Sequence, residues 1–232
     1  MLSIITINRN HQAGLAKTIA SLAKQTDQQF QWVFVDGLSS DESVQLAQSF
    51  ARAQDVVISE KDYGIYNAMN KGAQLCKGDA VLFLNSGDVF VDEAAIANIK
   101  QHWQENVDML LYGFEVRSRV RMPKPLWWRF WNIPTSHQAI VYRRSLLSPE
   151  RRFNESYRFL ADYEHFLRLP LKAMTVKHID HLLVSNENYG TDDHLDQVCQ
   201  ELKMALLTNG YPLWICKLLA KIKWRYLNRA LR

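Results

Sequence analysis

Cysteine is scarce in this 232-residue sequence, and long apolar runs are missing from it. The three cysteines, Cys76, Cys199 and Cys216, lie far apart without the spacing of a metal site, which argues against a disulfide scaffold and indicates a reducing compartment. No stretch approaches the roughly 20 apolar residues of a transmembrane helix. The first residues, MLSIITINRN, form too short an apolar run for a signal peptide and lack its basic start. We therefore expect a cytoplasmic protein.

Two glycine-rich nucleotide motifs are also absent. No GxGxxG follows the first apolar run, which removes the main support for a nicotinamide-binding Rossmann domain. Neither GxxxxGKS nor GxxxxGKT occurs, which removes the phosphate loop of the P-loop enzymes. A nucleotide bound by this chain must therefore be held by other groups.

Basic charge is concentrated at the C-terminus. The net charge is +4, but residues 217–232 contain six of the 28 basic residues and no acidic one. The rest of the chain has 22 basic and 24 acidic residues, a net charge of −2. We therefore expect no nucleic-acid binding by the body, while the tail indicates an anionic partner.

The first hundred residues alternate regularly between apolar runs and helical patterns. Strands are predicted at 2–7, 32–35, 56–58, 80–84, 109–116 and 139–142, and helices at 13–24, 41–51, 65–76 and 161–169. The segment 117–134, which contains basic residues, prolines and three tryptophans, resembles a binding loop or lid more than a core element. Alternation with continuous apolar strands predicts an α/β fold, a mostly parallel sheet covered by helices on both faces.

Polar clusters follow each of the first four predicted strands. They are Asn8-Arg9-Asn10, Asp36-Gly37, 59–64 and 85–88. Ligands of open parallel sheets bind beyond the carboxyl ends of the strands, so these clusters are expected to line one site. In AVLFLNSGD, an apolar run ends at Asp88, which we expect to be a surface carboxylate that binds a metal. Mg²⁺ or Mn²⁺ would suit this edge because such ions take one or two carboxylates together with a substrate's phosphate oxygens.

Five motifs, in this order and spacing, resemble family-2 glycosyltransferases with the GT-A fold, most of all the bacterial branch that builds exopolysaccharide and O-antigen units. The motifs are LSIITINRN, VDGLSSD, SEKDYGIYNAMNKG, FLNSGD and ADYEHFLRL. The likeness covers residues 1 to about 170 and implies a GT-A nucleotide-diphospho-sugar transferase fold with a Rossmann-like sheet. It predicts one domain over 1–205, with a nucleotide-sugar-binding half at 1–100 and an acceptor-binding half at 101–205, followed by a tail over 206–232.

The resemblance also implies a set of site residues. A nucleotide-sugar pocket would be lined by Thr6, Asn8, Asp36, Gly64, Asn70, Asn85 and Ser86, with Asp36 on the base. Asp88 would bind the metal, and Asp162 would be the catalytic base. His137 and Gln138 would contact the donor sugar or the acceptor.

The chain departs from the family pattern at several of these positions. The usual Asp-x-Asp-Asp is Asn85-Ser86-Gly87-Asp88, the usual Glu-Asp is Ala161-Asp162, and an arginine is replaced by Met69, so that a phosphate contact is either missing or supplied by Lys61 or Lys71. Simpler roles stay open for two groups. Asp162 could cap its helix, and His137 and Gln138 could be a satisfied polar pair.

The C-terminal tail has the pattern of a basic amphipathic helix. Its apolar face is predicted to contain Ile215, Leu218, Leu219, Ile222 and Tyr226, beside a stripe of Lys217, Lys221 and Arg225 and with Trp214 and Trp224 as interfacial aromatics. Such helices lie on membranes. A surface helix docked on the body, with a solvated basic face, is the alternative.

Together these observations predict an inverting glycosyltransferase at the inner face of a bacterial membrane. Its donor would be a nucleoside diphosphate-sugar, its acceptor a hydroxyl of a lipid-linked saccharide, and its cofactor a divalent metal, Mn²⁺ or Mg²⁺. Two alternatives stay open. The first is a catalytically inactive sugar-nucleotide or membrane-binding module, which the missing acids of the family motifs leave open. The second is a nucleotidyltransferase, which would use a similar sheet.

Overall fold

A computed structural model describes residues 1–187 and 194–230. Nine strands of the described residues form one sheet. The strands are β1 Leu2–Asn8, β2 Phe30–Asp36, β3 Val56–Ser59, β4 Ala80–Phe83, β5 Val89–Phe90, β6 Met109–Val116, β7 Arg119–Arg121, β8 Ile140–Arg143 and β9 Val176–Asn186. Their order across the sheet is β3-β2-β1-β4-β8-β6-β9-β5, and β7 pairs with β6.

Helices cover the sheet and extend beyond it. They are α1 Gln12–Ala23, α2 Ser43–Phe50, α3 Ile65–Leu75, α4 Ala95–His102, α5 Ala161–Arg168, α6 Leu195–Thr208 and α7 Leu213–Ala230. Two separate apolar cores result, one that contains Ile5 and Val35 and one that contains Ile4 and Phe34. Because successive side chains of a strand point to opposite faces, each buried strand contributes to both cores, and the predicted coverage of both faces is confirmed.

The first four strands run parallel, as predicted. β1 lies between β2 and β4, and β3 extends the sheet on the far side of β2. The register places Asn8 opposite Asp36, and Asp36 opposite Ser59. The polar residues that end three neighbouring strands are therefore aligned in one row.

The second half of the sheet mixes directions. β8 is antiparallel to both β4 and β6, while β9 is parallel to β6 with an irregular register between Leu111 and Phe114. The predicted strands at 109–116 and 139–142 are confirmed. The 117–134 segment contains the short strand β7 and a 3₁₀ helix over Leu126–Phe130, in which the exposed Trp127 ring stacks on Phe130.

Helix α3 lies directly against the sheet because a glycine faces it. A Cβ at Gly72 would lie 2.5 Å from Cγ2 of Ile5, so no larger residue fits there without displacement of the strand or the helix. The close packing fixes α3 relative to β1. Tyr66, in the first turn of α3, is thereby held at the carboxyl edge of the sheet.

Helix α7 packs on the body through one stripe and exposes another. Cys216 and Lys223 are buried, and Leu219 and Leu227 pack against the core that contains Tyr163. The predicted helix is confirmed, but the assignment of Leu219 to a membrane-facing side is wrong, because this residue faces the protein. Six further apolar residues of α7 are exposed, namely Leu213, Trp214, Leu218, Ile222, Trp224 and Tyr226, while Ile215 is partly buried. No helix in the described parts of the chain is long and apolar enough to cross a membrane.

Candidate active site

The row of polar strand ends forms a tight hydrogen-bond cluster around Asp36. This fully buried carboxylate accepts hydrogen bonds from the Asn8 amide (3.0 Å), the Ser39 amide N–H (2.8 Å), the Ser39 hydroxyl and the Ser59 hydroxyl (2.8 Å). Burial raises the pKa of Asp36, but the donors from Ser39, Asn8 and Ser59 outweigh it and the pKa lies below its usual value. Asp36 is therefore a preorganised anion, and its contact with a base stays a prediction.

Two predicted pocket residues are engaged by the protein itself. The buried Thr6 hydroxyl accepts a hydrogen bond from the Trp32 indole (2.9 Å). The buried Asn70 amide donates to the Phe153 carbonyl (2.9 Å) and to Glu155 (2.8 Å), and its oxygen accepts from the Phe153 N–H (2.9 Å). Asn70 thus fastens the loop before α5 to α3, and a nucleotide contact of either residue stays a prediction.

Gly64 lies at an open turn that leads into α3. Its φ of +120° belongs to the region that favours glycine, and no described atom lies within 4 Å of the place a Cβ would occupy. The loop around it folds over the sheet edge, since Asp62 occupies the space beside Gly37. Lys71, one of the two lysines expected to contact phosphate, is paired here with Glu60 at 2.8 Å.

Asp88 is buried between neutral donors. Its side chain accepts from the Gln138 amide (3.0 Å) and from the backbone N–H of Glu187 (3.1 Å). Only 5% of the residue is exposed, so the expectation of a surface carboxylate is wrong. Burial is the main cause that raises the pKa of Asp88 to about 6, and the two neutral donors only partly oppose it.

The elbow formed by residues 85–88 is held in place by the side chain of Thr18 in α1. The Thr18 hydroxyl lies within hydrogen-bond distance of the Asn85 and Asp88 carbonyls and of the Gly87 N–H. Asn85 Oδ1 and Ser86 Oγ are buried and have no hydrogen-bond partner among residues 1–187 and 194–230. Unpaired buried oxygens cost free energy, so this elbow is suited to accept a ligand.

Asp162 lies in the first turn of α5, as predicted. Its Oδ2 is 3.2 Å from His137 Nδ1, and its Oδ1 accepts from the Tyr66 hydroxyl (3.1 Å) and the Tyr163 N–H (2.8 Å). Burial raises the pKa of Asp162, but His137, Tyr163 and Tyr66 overcome it, and the pKa lies below its usual value. The residue at the cap of α5 is Leu160, so the capping alternative for Asp162 does not hold.

The neighbouring titratable residues of α5 are turned away from this cluster. Glu164 is buried against Arg168 at 2.7 Å. His165 donates from Nε2 to the Leu146 carbonyl (2.8 Å), and burial lowers its pKa to about 4. Neither residue is placed like Asp162, the more accessible of the two acids of this helix, with 13% of its side chain exposed against 5% for Glu164.

A single turn reaches both acids. Residues His137–Ala139 form a 3₁₀ helix just before β8, and from it His137 contacts Asp162 while Gln138 contacts Asp88. Ser136 donates to the Gln138 oxygen, and Asn186 at the end of β9 donates to Ser136 (2.9 Å). The pair HisGln was predicted at the site, and its link between the two acids emerges only from the fold.

Sequence reasoning missed several members of this network. They are Thr18, Tyr66, Ser136, Asn186 and Glu187. Tyr66 could have been selected from the sequence, because it lies in the motif SEKDYGIYNAMNKG. Glu187 carried no signal, since its ion pairs with His11 (2.7 Å) and Lys17 (2.9 Å) join positions about 170 residues apart.

Comparison with known proteins identifies the family to which the chain belongs. The family model for glycosyl transferase family 2 matches residues 3–166, which hold every predicted site residue. The chain belongs to this family. The glycosyltransferase is 31% identical over 199 residues to the PGL/p-HBAD biosynthesis glycosyltransferase of Mycobacterium bovis (strain BCG / Pasteur 1173P2), over 81% of this chain and 77% of that one. An uncharacterized glycosyltransferase of Haemophilus influenzae is 37% identical over 93 residues, 40% of this chain and 31% of its own length.

Solved structures confirm the GT-A fold of the glycosyltransferase. S. aureus TarS 1-349 matches with a TM-score of 0.71 at 17% identity, over 99% of this chain and 72% of that one. The mannosyltransferase PcManGT from Pyrobaculum calidifontis, solved in complex with GDP-Man and Mn²⁺, matches with a TM-score of 0.69 at 13% identity, over 99% and 74%.

The donor set at Asp88 of the glycosyltransferase fits a hard divalent cation. The described residues contain no group of three or more His, Cys, Asp or Glu side chains suited to a metal. Asp88 instead stands beside the unpaired oxygens of Asn85 and Ser86. Mg²⁺ and Mn²⁺ are commonly held by one or two carboxylates and completed by substrate phosphates and water, so a single acid at this place is compatible with such an ion.

Proposed function

We propose that this glycosyltransferase is an inverting, divalent-metal-dependent enzyme. It moves a sugar from a nucleoside diphosphate-sugar to a hydroxyl of a lipid-linked saccharide during assembly of bacterial surface polysaccharide such as O-antigen or exopolysaccharide. The observation that carries the proposal is the pair Asp88 and Asp162 at one edge of the sheet, joined through adjacent residues of a single turn. One acid is suited to a cation and the other is kept ionised.

Asp162 is the proposed general base. An acceptor hydroxyl is a poor nucleophile until a positioned group takes its proton as it attacks the anomeric carbon. The lowered pKa of Asp162 keeps this carboxylate ionised and able to take a proton, and its side chain is partly accessible and held in a fixed orientation. Direct displacement assisted by one base inverts the anomeric configuration, which gives the proposal its stereochemical outcome.

Asp88 is the proposed metal residue, with Asn85 and Ser86 beside it on the same elbow. A bound divalent cation would stabilise the negative charge that develops on the leaving diphosphate. The protein's own contribution is to hold the Asp88 carboxylate in place through Gln138 and the Glu187 backbone. Asp36 and Asn8, at the adjoining strand ends, are proposed to contact the nucleoside.

A peripheral position on the inner face of the cell membrane is supported by α7. Its exposed residues Trp214, Leu218 and Ile222 lie beside Lys217 and Lys221. Apolar residues next to basic ones are typical of helices at anionic surfaces, where each basic residue contributes about 1 kcal/mol. A lipid-linked acceptor is found at such a surface. The relative named for PGL/p-HBAD biosynthesis supports a role in glycoconjugate assembly.

The proposal is tested with a panel of nucleotide sugars. Thermal stabilisation of the full chain by each donor is measured with Mn²⁺ and with excess chelator, and the best donor is then incubated with acceptor analogues. We expect metal-dependent stabilisation by one donor class, release of nucleoside diphosphate, and a product whose anomeric configuration is opposite to that of the donor. Retention of configuration would contradict the inverting mechanism, and full turnover in chelator would contradict the metal role. Donor binding without any release of nucleoside diphosphate would instead support the inactive binding module.

A further inference from the structure

His137 is engaged at both ring nitrogens by the protein itself. Nδ1 lies 3.2 Å from Asp162 Oδ2, and Nε2 lies 3.4 Å from the Asn85 amide nitrogen. The ring therefore connects the strand-end elbow that precedes Asp88 to the helix that carries the proposed base. A residue with both nitrogens occupied is better placed to orient its neighbours than to bind a sugar.

We propose that His137 is the positioning residue of the base, held as the singly protonated tautomer that donates from Nδ1 to Asp162 and accepts at Nε2 from Asn85. This inference rests on the proposed function, because it assigns a role within the same site. It differs from a sugar contact, since neither ring nitrogen is left for a substrate hydroxyl.

The hydrogen-bonding groups around the ring favour this tautomer. An ionised Asp162 carries no proton, so it can only accept, and Nδ1 must donate to it. The amide nitrogen of Asn85 can only donate, so Nε2 must accept from it.

Several other titratable groups lie near Asp162, and their effect on its pKa has to be compared with that of His137. Tyr66 of α3 donates to it, and Tyr142 of β8, His165 of α5 and Lys223 of α7 lie near enough to interact with its charge. Tyr142 and Tyr66 have pKa values raised above the usual value, first by burial and then by the Asp162 charge, so they stay neutral. The hydrogen bond from His137 is the largest of the contributions that lower the pKa of Asp162, so its removal should change the proton affinity of Asp162 most.

The kinetic test compares His137→Ala with His137→Asn in the full chain. The Asn amide nitrogen can occupy the position of Nδ1, whereas Ala offers no donor. We expect the acid limb of the kcat–pH profile to move to higher pH in His137→Ala, with about a tenfold loss of turnover below the limb for each unit of movement, and to return toward wild type in His137→Asn. Donor affinity should stay near wild type in both. An unmoved acid limb in a folded His137→Ala enzyme would overturn the inference.

A spectroscopic test separates this inference from the proposed function. In ¹⁵N-histidine-labelled protein, Nδ1 of His137 should give a protonated signal and Nε2 an unprotonated one, and Asn85→Asp should convert Nε2 to the protonated form. The reverse tautomer in wild type, or no change in Asn85→Asp, overturns the positioning role whether or not a donor is found. The expected tautomer in a chain that transfers no sugar supports the geometry and counts against the proposed function alone.

Discussion

Asp88 and Asp162 stand at the same edge of the sheet, and both are largely withdrawn from solvent, yet their surroundings act in opposite directions. Asp88 has two neutral donors, the Gln138 amide and one backbone N–H, and burial raises its pKa to about 6. Asp162 has an imidazole, a tyrosine hydroxyl and a backbone N–H, and its pKa is lowered. Burial alone therefore does not set the charge of an acid, because the number and kind of its donors decide it. Burial opposes the ionisation of Asp88, an effect that a bound cation would offset, whereas the donors around Asp162 already favour its ionised form.

The largest effect that separates the two acids is expected from Asp162→Asn. The amide keeps the shape of the side chain but cannot take a proton, so turnover should fall roughly 10²–10⁴-fold while donor affinity stays near wild type. Initial rates and donor-induced thermal stabilisation measure the two quantities. Glu164→Gln is the matched control in the same helix, since Glu164 is occupied by Arg168. A normal rate for Asp162→Asn together with an inactive Glu164→Gln would refute the assignment.

Asp88→Asn should produce a loss of metal-dependent donor binding and a gain in stability. The folded pKa of about 6 lies above the unfolded value of 3.8, so wild type loses stability as pH rises through this window. Without metal at pH 7, the loss of the buried charge should raise the free energy of unfolding of the variant by up to about 3 kcal/mol, less the cost of an amide nitrogen that faces one of the two donors, and the part that depends on charge should vanish near pH 4. Denaturant unfolding at both pH values measures it. An advantage that is equal at both pH values would show that Asp88 titrates normally.

The exposed stripe of α7 should influence neither acid but should control membrane binding. Leu218→Asp with Ile222→Asp removes two apolar side chains from the exposed stripe, and affinity for anionic phospholipid vesicles should fall roughly tenfold or more for each. Turnover of a soluble acceptor analogue should be unchanged. Val120→Asp, an exposed apolar position on β7, is the control. Equal pelleting of the double variant and wild type would leave α7 as a docked helix only.

The smallest effect is expected from a change in thermal stability at Lys223. This residue of α7 lies near Asp162 and not near Asp88. Its ammonium is buried, 3.5 Å from the Trp131 carbonyl and 3.4 Å from Asn132 Oδ1, and burial lowers its pKa to about 8. A lowered lysine pKa makes wild type less stable below pH 8 than it becomes above pH 10.5. Lys223→Met should therefore raise the thermal midpoint by a few degrees at pH 7, and less at high pH. A lower midpoint at pH 7 would show that the buried charge is well compensated.

The sequence allowed prediction of elements that repeat a local pattern. Continuous apolar runs identified β1, β2, β4 and β8, and helical spacing identified α3 and the helix that begins at Ala161. Strand β9 escaped because VKHIDHLLVSN alternates poorly, and its irregular pairing with β6 leaves several polar residues partly exposed. Short elements such as β5 were below the length at which periodicity is visible.

The candidate site was predictable as a set of residues but not as a network. Asp88 and Asp162 follow from motifs and from their place at the ends of elements. The contact between Tyr66 and Asp162 spans 96 positions, and that between Glu187 and Asp88 spans 99. Such contacts depend on how helices and strands pack, which no local pattern contains. The burial of Asp88 was missed for the same reason, because Gln138 and Glu187 cover it from distant parts of the chain.

The two stripes of α7 share no position. Residues 216, 219, 223 and 227 face the protein, and residues 214, 218, 222 and 226 face solvent, because a helix turns through a full circle every 3.6 residues. Substitutions on the outer stripe therefore leave the inner contacts in place. The surface that α7 presents to solvent and the contacts that hold α7 on the body are thus set by different residues, so either set can diverge in sequence without change in the other.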